Sequence, residues 1–511
     1  MIKTRRDFLK ISTIAGVGAL SLPNELFGEE QNSQFDDYKA LVIIYQEGGN
    51  DGLNTFIPIL DDSKKGYTAY ANARNIIKIE NVSIELNSDG SGSLSLNKGG
   101  SNPYHKGFGS KTIQEAYTNG FYTLGENIKE FGLNPLMPEL AHIARGGNLA
   151  VVANAGNLIV PATKSELLNQ KKPKPPFLYA HNHQTKLAFC GESSNLNMSG
   201  WAGRLFDRWI NVNNGDIYGM NISVSGPRHI LYGDETSPLN LSPNGPTKYD
   251  FDPNWDETRN KFKEKAYKDF LTSPSRRDIF KNLYTKMKLH SFDMQTTLVD
   301  DWKNVGEFSS LNAYGDKIFS KLGSYTLGEP KDPIKTDLSV MHRLESIAKL
   351  IKIGKKRGLK RQIFIVTHGG YDNHSNQTYQ HSRLLRGLSL GLGDFNLALK
   401  EMGLQDSVTT FNISDFGRST GNNGDGTDHA WGSNLFVMGS AVKGGIYGTL
   451  PNLTLGSDDD LTKKGRLIPT TSMTQIYATI TKWFGADEDT LDKIFPELKN
   501  FTQKDLGFMK S

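Results

Sequence analysis

Asp51, Asp372, His374, Asp415 and His429 stand at or just beyond the ends of apolar runs, where side chains of their types could do chemistry. Aspartate oxygens together with neutral imidazole nitrogens suit zinc, manganese or iron, whereas carboxylates alone would suit magnesium or calcium. Asp372 and His374, two residues apart, are free to converge on one ion from a loop. The five residues together would hold one divalent ion or two, zinc or manganese by their donor types. Two ions would stand about 3.5–4 Å apart and clamp the attacking and leaving oxygens of an ester. Arg418 follows Asp415 closely and offers its fork to an anionic oxygen, or else pairs with Asp415 or Asp428. Six of the eleven histidines (His181, His183, His368, His374, His381, His429) fall in or just after these stretches, which random scatter would not produce. The competing account is structural: Asp415 caps a turn, His429 lies in a polar loop and His181/His183 form a satisfied pair.

Positioning such residues requires rigid strands with free tips. Ala40–Tyr45, Leu149–Ala153, Gln362–Val366 and Val408–Ile413 are continuous apolar or β-branched runs of the kind buried on both sheet faces. They break at Glu47-Gly48-Gly49-Asn50-Asp51, Asn154-Ala155-Gly156, Thr367-His368-Gly369 and Ser414-Asp415-Phe416-Gly417. Helical spacing precedes or follows them: Leu136, Leu140, Ile143; Met341, Leu344, Ile347, Ala348, Ile351; Leu384, Leu388, Leu392, Phe395, Leu399; and Met473, Ile476, Ile480, Phe484. Alternating helix, glycine, apolar strand and polar tip is the unit of an α/β fold. A mainly parallel sheet sandwiched between helices is expected, with ligands beyond the carboxyl ends of the strands. Its halves would be 38–239 and 336–511, separated by a charged, Lys-rich helical insertion or lid at 240–335.

The 511 residues carry a formal net charge of +4, too small and too dispersed for a nucleic-acid footprint. Residues 1–28 read as an address: Thr4-Arg5-Arg6-Asp7-Phe8-Leu9-Lys10 is a twin-arginine signal, followed by the modestly apolar Ile11–Leu22. That run is shorter than the ~20 residues of a membrane span, and no other stretch is apolar enough to cross. The expected location is the periplasm or the exterior. Cys190 is the single cysteine, so no internal disulfide forms and no thiolate zinc site is available.

Four ordered motifs are shared with a known group: Gly-Gly-x-Asp-Gly-Leu-Asn-Thr at 48–55, Gly-Gly-Tyr-Asp-x-His at 369–374, Ser-Asp-Phe-Gly-Arg at 414–418 and Thr-Asp-His-Ala-Trp-Gly at 427–432. In these the chain resembles an uncharacterised, twin-arginine-exported bacterial "domain of unknown function" family. That family in turn resembles a distant branch of the alkaline phosphatase and sulfatase superfamily. The resemblance implies an alkaline-phosphatase-like fold, two metal sites and hydrolysis of phosphate or sulfate esters. It matches Asp51 to the first-strand aspartate, Asp372 and His374 to the middle pair, Asp415 to the Ser-Asp-His-Gly motif and His429 to the late histidine. Phe416 stands where that motif has a ligand histidine, and Ala180 where relatives carry a serine. The nucleophile would then be Thr55, the only hydroxyl beside the first tip, or a metal-bound hydroxide with pKa near ~7. His183 and His368 are the candidate proton donors. The expected partner is a small anionic ester or a surface glycan. The alternative is a non-catalytic periplasmic or cell-surface binding protein on the same scaffold.

Overall fold

The computed structural model describes residues 35–90, 117–246, 256–272, 285, 294–320, 326–327 and 334–510. The twin-arginine segment lies outside the described residues. Nine strands form the central sheet: β1 (Lys39–Glu47), β2 (Leu149–Gly156), β3 (Asn221–Ser223), β4 (Leu239–Asn240), β5 (Arg361–Gly369), β6 (Val408–Ser414), β7 (Ser433–Met438), β8 (Gly445–Gly448) and β9 (Thr471–Ser472). Their order is β8-β2-β7-β6-β1-β5-β3-β4, with β9 also pairing β2. The sheet is mixed: β7 runs antiparallel to both β6 and β2. The ladders of β1 with β5 and β6, and of β3 with β5 and β4, are parallel. The α/β class expected from the apolar runs holds.

Burial on both faces explains why the strands read as unbroken apolar runs. Ala40, Val42 and Ile44 of β1 enter one core cluster, and Leu41, Ile43 and Tyr45 the other. Helices α1 (Pro138–Arg145), α4 (Ser339–Lys356) and α5 (Gln377–Glu401) contribute Leu140, Leu344, Ile347, Leu388 and Phe395 to the first face. Helices α3 (Trp201–Arg208) and α6 (Met473–Phe484) contribute Trp201, Leu205, Ile476 and Ile480 to the second. The remaining helix used below, α2 (His181–Cys190), packs beside β6. Among the described residues, no helix is long and apolar enough to cross a membrane. Of the segment 240–335, helix Glu257–Thr272 and a helical run over 294–304 are described. Leu298, Phe308, Ile318 and Phe319 from this segment join the first core cluster.

Because β1, β3, β5 and β6 are mutually parallel in this region, their carboxyl ends open on one edge. Register sets Gln46 opposite both His368 and Ser414, and Glu47 opposite Gly369. The tips are cross-braced: Asn412 donates to Gln46 Oε1 at 2.6 Å, Ser414 Oγ to the Gln46 carbonyl at 2.6 Å, and the Asn50 N–H to Ser414 Oγ at 2.8 Å. Gly48 has φ +115°, and a Cβ there would meet the Asp372 backbone nitrogen at 2.5 Å. Glycine is what lets the first and third tips touch.

Two fully buried histidines lie under this edge. His381 on α5 contacts Asn50 Oδ1 through Nε2 at 2.9 Å, and His368 on β5 receives the Tyr371 hydroxyl at 2.9 Å. Burial pushes each from 6.5 down to about 4, despite Asp51 near His381 and Asp337 near His368. A depressed base takes up protons more readily when unfolded, so this contribution to stability is complete above about 6.5 and is lost as pH falls toward 4. Wild type is therefore expected to lose about 2 kcal/mol more than His381→Gln between pH 7 and pH 5 in denaturant unfolding. Parallel loss in the two proteins would show that His381 is not held neutral.

Candidate metal centre

Three loops at the sheet edge deliver one cluster. His181 opens α2 at the end of a turn in which Phe177 (φ 52°) and Tyr179 (φ 73°) are left-handed. For aromatic residues that conformation is costly and must be held by its surroundings. Asp372 and His374 follow β5. His429 comes from a short antiparallel ribbon, Arg418–Asn422 with Thr427–His429, in which His429 sits opposite Arg418.

The functional nitrogens point inward. His181 Nε2 lies 3.2 Å from His429 Nε2, and His374 Nε2 lies 2.9 Å from the same atom. Asp372 Oδ1 is 3.0 Å from His429 Nε2 and 3.1 Å from His374 Nε2, while Oδ2 is 3.5 Å from His181 Nε2. His181, Asp372 and His429 each offer a ligand atom within 4.8 Å of the others. The edges of a tetrahedron about zinc, with Zn–N near 2.0–2.1 Å, are ~3.3 Å long. The observed separations of 2.9–3.5 Å bracket that length.

The outer partners settle the tautomers. His181 Nδ1 meets Asp415 Oδ2 at 2.5 Å and His429 Nδ1 meets the Tyr179 carbonyl at 2.9 Å. Both oxygens are acceptors in this setting, so both Nδ1 atoms carry the hydrogen and both neutral rings present Nε2 lone pairs inward. His374 Nδ1 faces Asp428 Oδ1 at 3.6 Å. Imidazole anchored at Nδ1 to a carboxylate or carbonyl is the usual arrangement for metal-ligating histidine. Its hydrogen bond to Asp415 raises the pKa of His181 against the opposing effect of burial, whereas burial lowers that of His429. Burial works against an ionised Asp372, yet the bond from the Arg418 guanidinium keeps its pKa below the ordinary carboxylate value.

Several expected residues hold other posts. Asp415 is 3% exposed, and its carboxylate accepts from the Tyr45 hydroxyl at 2.6 Å, the Gly48 N–H at 3.2 Å and His181. It orients a ligand instead of being one. Arg418 is also buried, with Nη1 2.7 Å from Asp372 Oδ1 and its other nitrogens on Thr427. It steadies Asp372 and has no fork to spare for substrate, and its carboxylate partner is neither Asp415 nor Asp428. Phe416 packs against His181 and His429 with centroids 4.7 Å away in each case.

Asp51 lies outside the cluster. Its Oδ1 caps a short helical turn through the Leu53 and Asn54 N–H groups, and its Oδ2 takes Arg74 and Gln377 at 2.5 Å each. Arg74 in turn donates to the Ser419 and Thr420 carbonyls, so this buried pair fixes the ribbon that carries His429. Thr55 is 1% exposed and its hydroxyl donates to the Asp51 carbonyl at 2.8 Å, which removes it as a nucleophile. His183 stacks on Phe177 at 4.1 Å, away from the cluster. His368, fully buried and neutral at pH 7, has no proton to give at the edge. His181 is thus the member of the cluster that the choice of His183 missed. Residues two apart at the start of a helix project about 200° apart, so only one of the pair could face the cluster.

A cleft of about 670 Å³ opens beside these groups, lined by Tyr45, His181, Lys186, Arg228, Asp372 and Asp415 among others. That volume lies within the usual range for small-molecule sites.

Residues 356–495 match a family described as "Protein of unknown function (DUF1501)". The match takes in Asp372, His374, Asp415, Arg418 and His429 but not His181. No curated protein matches the chain. Two solved structures are similar, "Crystal structure of Ps i-CgsB" and "Crystal structure of Ps i-CgsB in complex with k-i-k-neocarrahexaose". They show 11% and 13% identity, coverage of 71% of each chain, and TM-scores of 0.30 and 0.29. Likeness at that level carries no argument about fold or function.

The geometry separates two residues, Asp51 and His429, that the sequence treats alike. Asp51→Ala leaves Arg74 buried without its carboxylate and should cost about 3–5 kcal/mol in denaturant unfolding. His429→Ala should leave the fold intact but lower bound zinc, measured by elemental analysis, well below that of wild type. The reverse pattern would place the metal at Asp51.

Proposed function

We propose that the protein is an exported, zinc-dependent hydrolase of phosphate or sulfate esters built around one metal ion. The observation that carries this reading is the crowding of the His181, His374 and His429 Nε2 atoms and the Asp372 carboxylate, at separations of 2.9–3.5 Å, with the His181 and His429 lone pairs turned inward. A single proton relieves one such contact, whereas a cation at the centre relieves all of them. Imidazole nitrogens with a carboxylate oxygen suit zinc better than manganese.

A bound zinc ion would supply Lewis acidity and a water acidified toward neutral pH. The chain does the rest. Asp415 and the Tyr179 carbonyl hold two imidazoles in the ligating tautomer, and Arg418 holds Asp372. Water is the nucleophile in this reading, since Thr55 is consumed by the scaffold and Ala180 has no hydroxyl. One ion is preferred to two because Asp51 is committed to Arg74 and Phe416 has no donor atom. The alkaline-phosphatase-like ancestry and export to the periplasm or exterior rest on the motifs and on the twin-arginine segment. A small anionic ester or a surface glycan remains the proposed partner. Phe416 and Ala180 favour the rival, a non-catalytic binding protein on the same scaffold.

Purified protein should contain close to one zinc per chain and hydrolyse an aryl phosphate or an aryl sulfate, with activity abolished by chelation and restored by zinc. Asp415→Asn should keep the fold and weaken zinc binding by roughly 10–100-fold. A folded protein free of metal, or turnover that survives chelation, would overturn the reading. Full zinc occupancy without turnover on either ester would favour the binding protein.

A further inference from the structure

The cleft beside the cluster has a cationic wall with little to balance it. Lys186 on α2 and Arg228 in the loop after β3 both line it. Arg228 donates from Nε to Thr367 Oγ1 at 2.8 Å, which fixes its stem and leaves the terminal nitrogens for the cleft. Among the described residues, neither cation forms an ion pair. The acids of the cleft are mostly answered elsewhere: Asp372 by Arg418, and Asp415 by His181 and Tyr45. Glu47, exposed at the tip of β1, is the remaining carboxylate. Two cations against one exposed acid leave this wall positive before any metal is counted.

Its place in the sheet separates it from the metal. Asp415 and Asp372 follow β6 and β5, which flank β1, whereas Arg228 follows β3 on the far side of β5. The loop bearing Arg228 therefore leaves the strand next to the one bearing Asp372, and Lys186 lies five residues beyond His181 on α2. The cleft, at about 670 Å³, has room for much more than one tetrahedral anion. We propose that Lys186 and Arg228 form a second anion subsite, and that the substrate carries two negatively charged groups, one at the metal and one along the cleft. The inference rests on the hydrolase reading for the identity of the first group. Guanidinium and ammonium together suit a phosphate, sulfate or carboxylate as the second.

Non-hydrolysable probes test this on the zinc-loaded full chain. Butylphosphonate presents one anion and the bisphosphonate of the same four-carbon chain presents two. Calorimetric titration should show the bisphosphonate binding about tenfold tighter or more. Arg228→Gln should erase that advantage while leaving butylphosphonate affinity and zinc content unchanged. Lys186→Gln, at a half-buried position on the cleft wall, provides the same test should the first variant fold poorly. Equal affinity for the two probes in wild type, or a variant that weakens both alike, would overturn the subsite. A protein that binds no zinc yet prefers the bisphosphonate through Arg228 would keep the subsite and sink the metal reading instead. Zinc binding with no preference between the probes would do the opposite.

Discussion

Mutual repulsion among lone pairs is the constraint around which this edge of the sheet is built. His429 Nε2 is brought within 3.2 Å of His181 Nε2, His374 Nε2 and an Asp372 oxygen, while the hydrogens of the His181 and His429 rings are turned outward to Asp415 and Tyr179. Left alone, such groups would swing apart into water, because each could be solvated separately. They are prevented from doing so by stiff attachments. His181 is locked by a helix start and a left-handed turn, Asp372 by Arg418, and His429 by a ribbon whose carbonyls are held through Arg74. An arrangement this unfavourable when empty is preorganised for a cation, since the reorganisation needed on binding is small.

The buried charges serve that stiffness. Asp51 with Arg74, and Asp415 with His181 and Tyr45, lie where solvent does not screen them, so removing one partner would strand the other. Neither carboxylate lies among the inward-facing ligand atoms, yet each sets the position of a group that does. Asp51 acts over the longest path, through Arg74 to Ser419 and Thr420 and so to the strand opposite His429. A motif can therefore keep an aspartate for reasons unrelated to direct ligation.

This division of labour marks where the amino-acid sequence was readable and where it was not. The strands were legible because burial on both faces removes the polar residues that would otherwise interrupt them. Their tips were legible because glycine and polar residues end each run abruptly. The same rule points to Asp372, His374 and His429, which the fold brings within 3.1 Å of one another. The antiparallel course of β7 and the small four-stranded sheet of Phe56–Pro58, Ser83–Ile84, Phe121–Thr123 and Phe131–Leu133 left no such trace, because strands of two to six residues have little periodicity to show. The fate of each aspartate was invisible for another reason. Whether a carboxylate meets a metal or an arginine depends on donors such as Arg74, Gln377 and Arg418, brought in from 23, 326 and 46 residues away respectively. His181 and His183 posed the same problem at short range, where one helical rotation decides which ring faces inward.

Phe416 shows how an apolar ring shapes the cluster around it. Its ring lies against His181 at an interplanar angle of 41° and against His429 at 37°. A donor at that position would draw an ion toward the β6 tip and compete with Asp415 for the space behind His181. An apolar ring does the reverse: it excludes water from the back of both imidazoles and lowers the local dielectric, which strengthens the Asp415–His181 bond. The same packing denies the tip a second set of donors, since Asp51 is already sealed beneath it. A phenylalanine here therefore leaves donors on one side of the two rings only, and the cleft side of His181 as the open approach for a ligand.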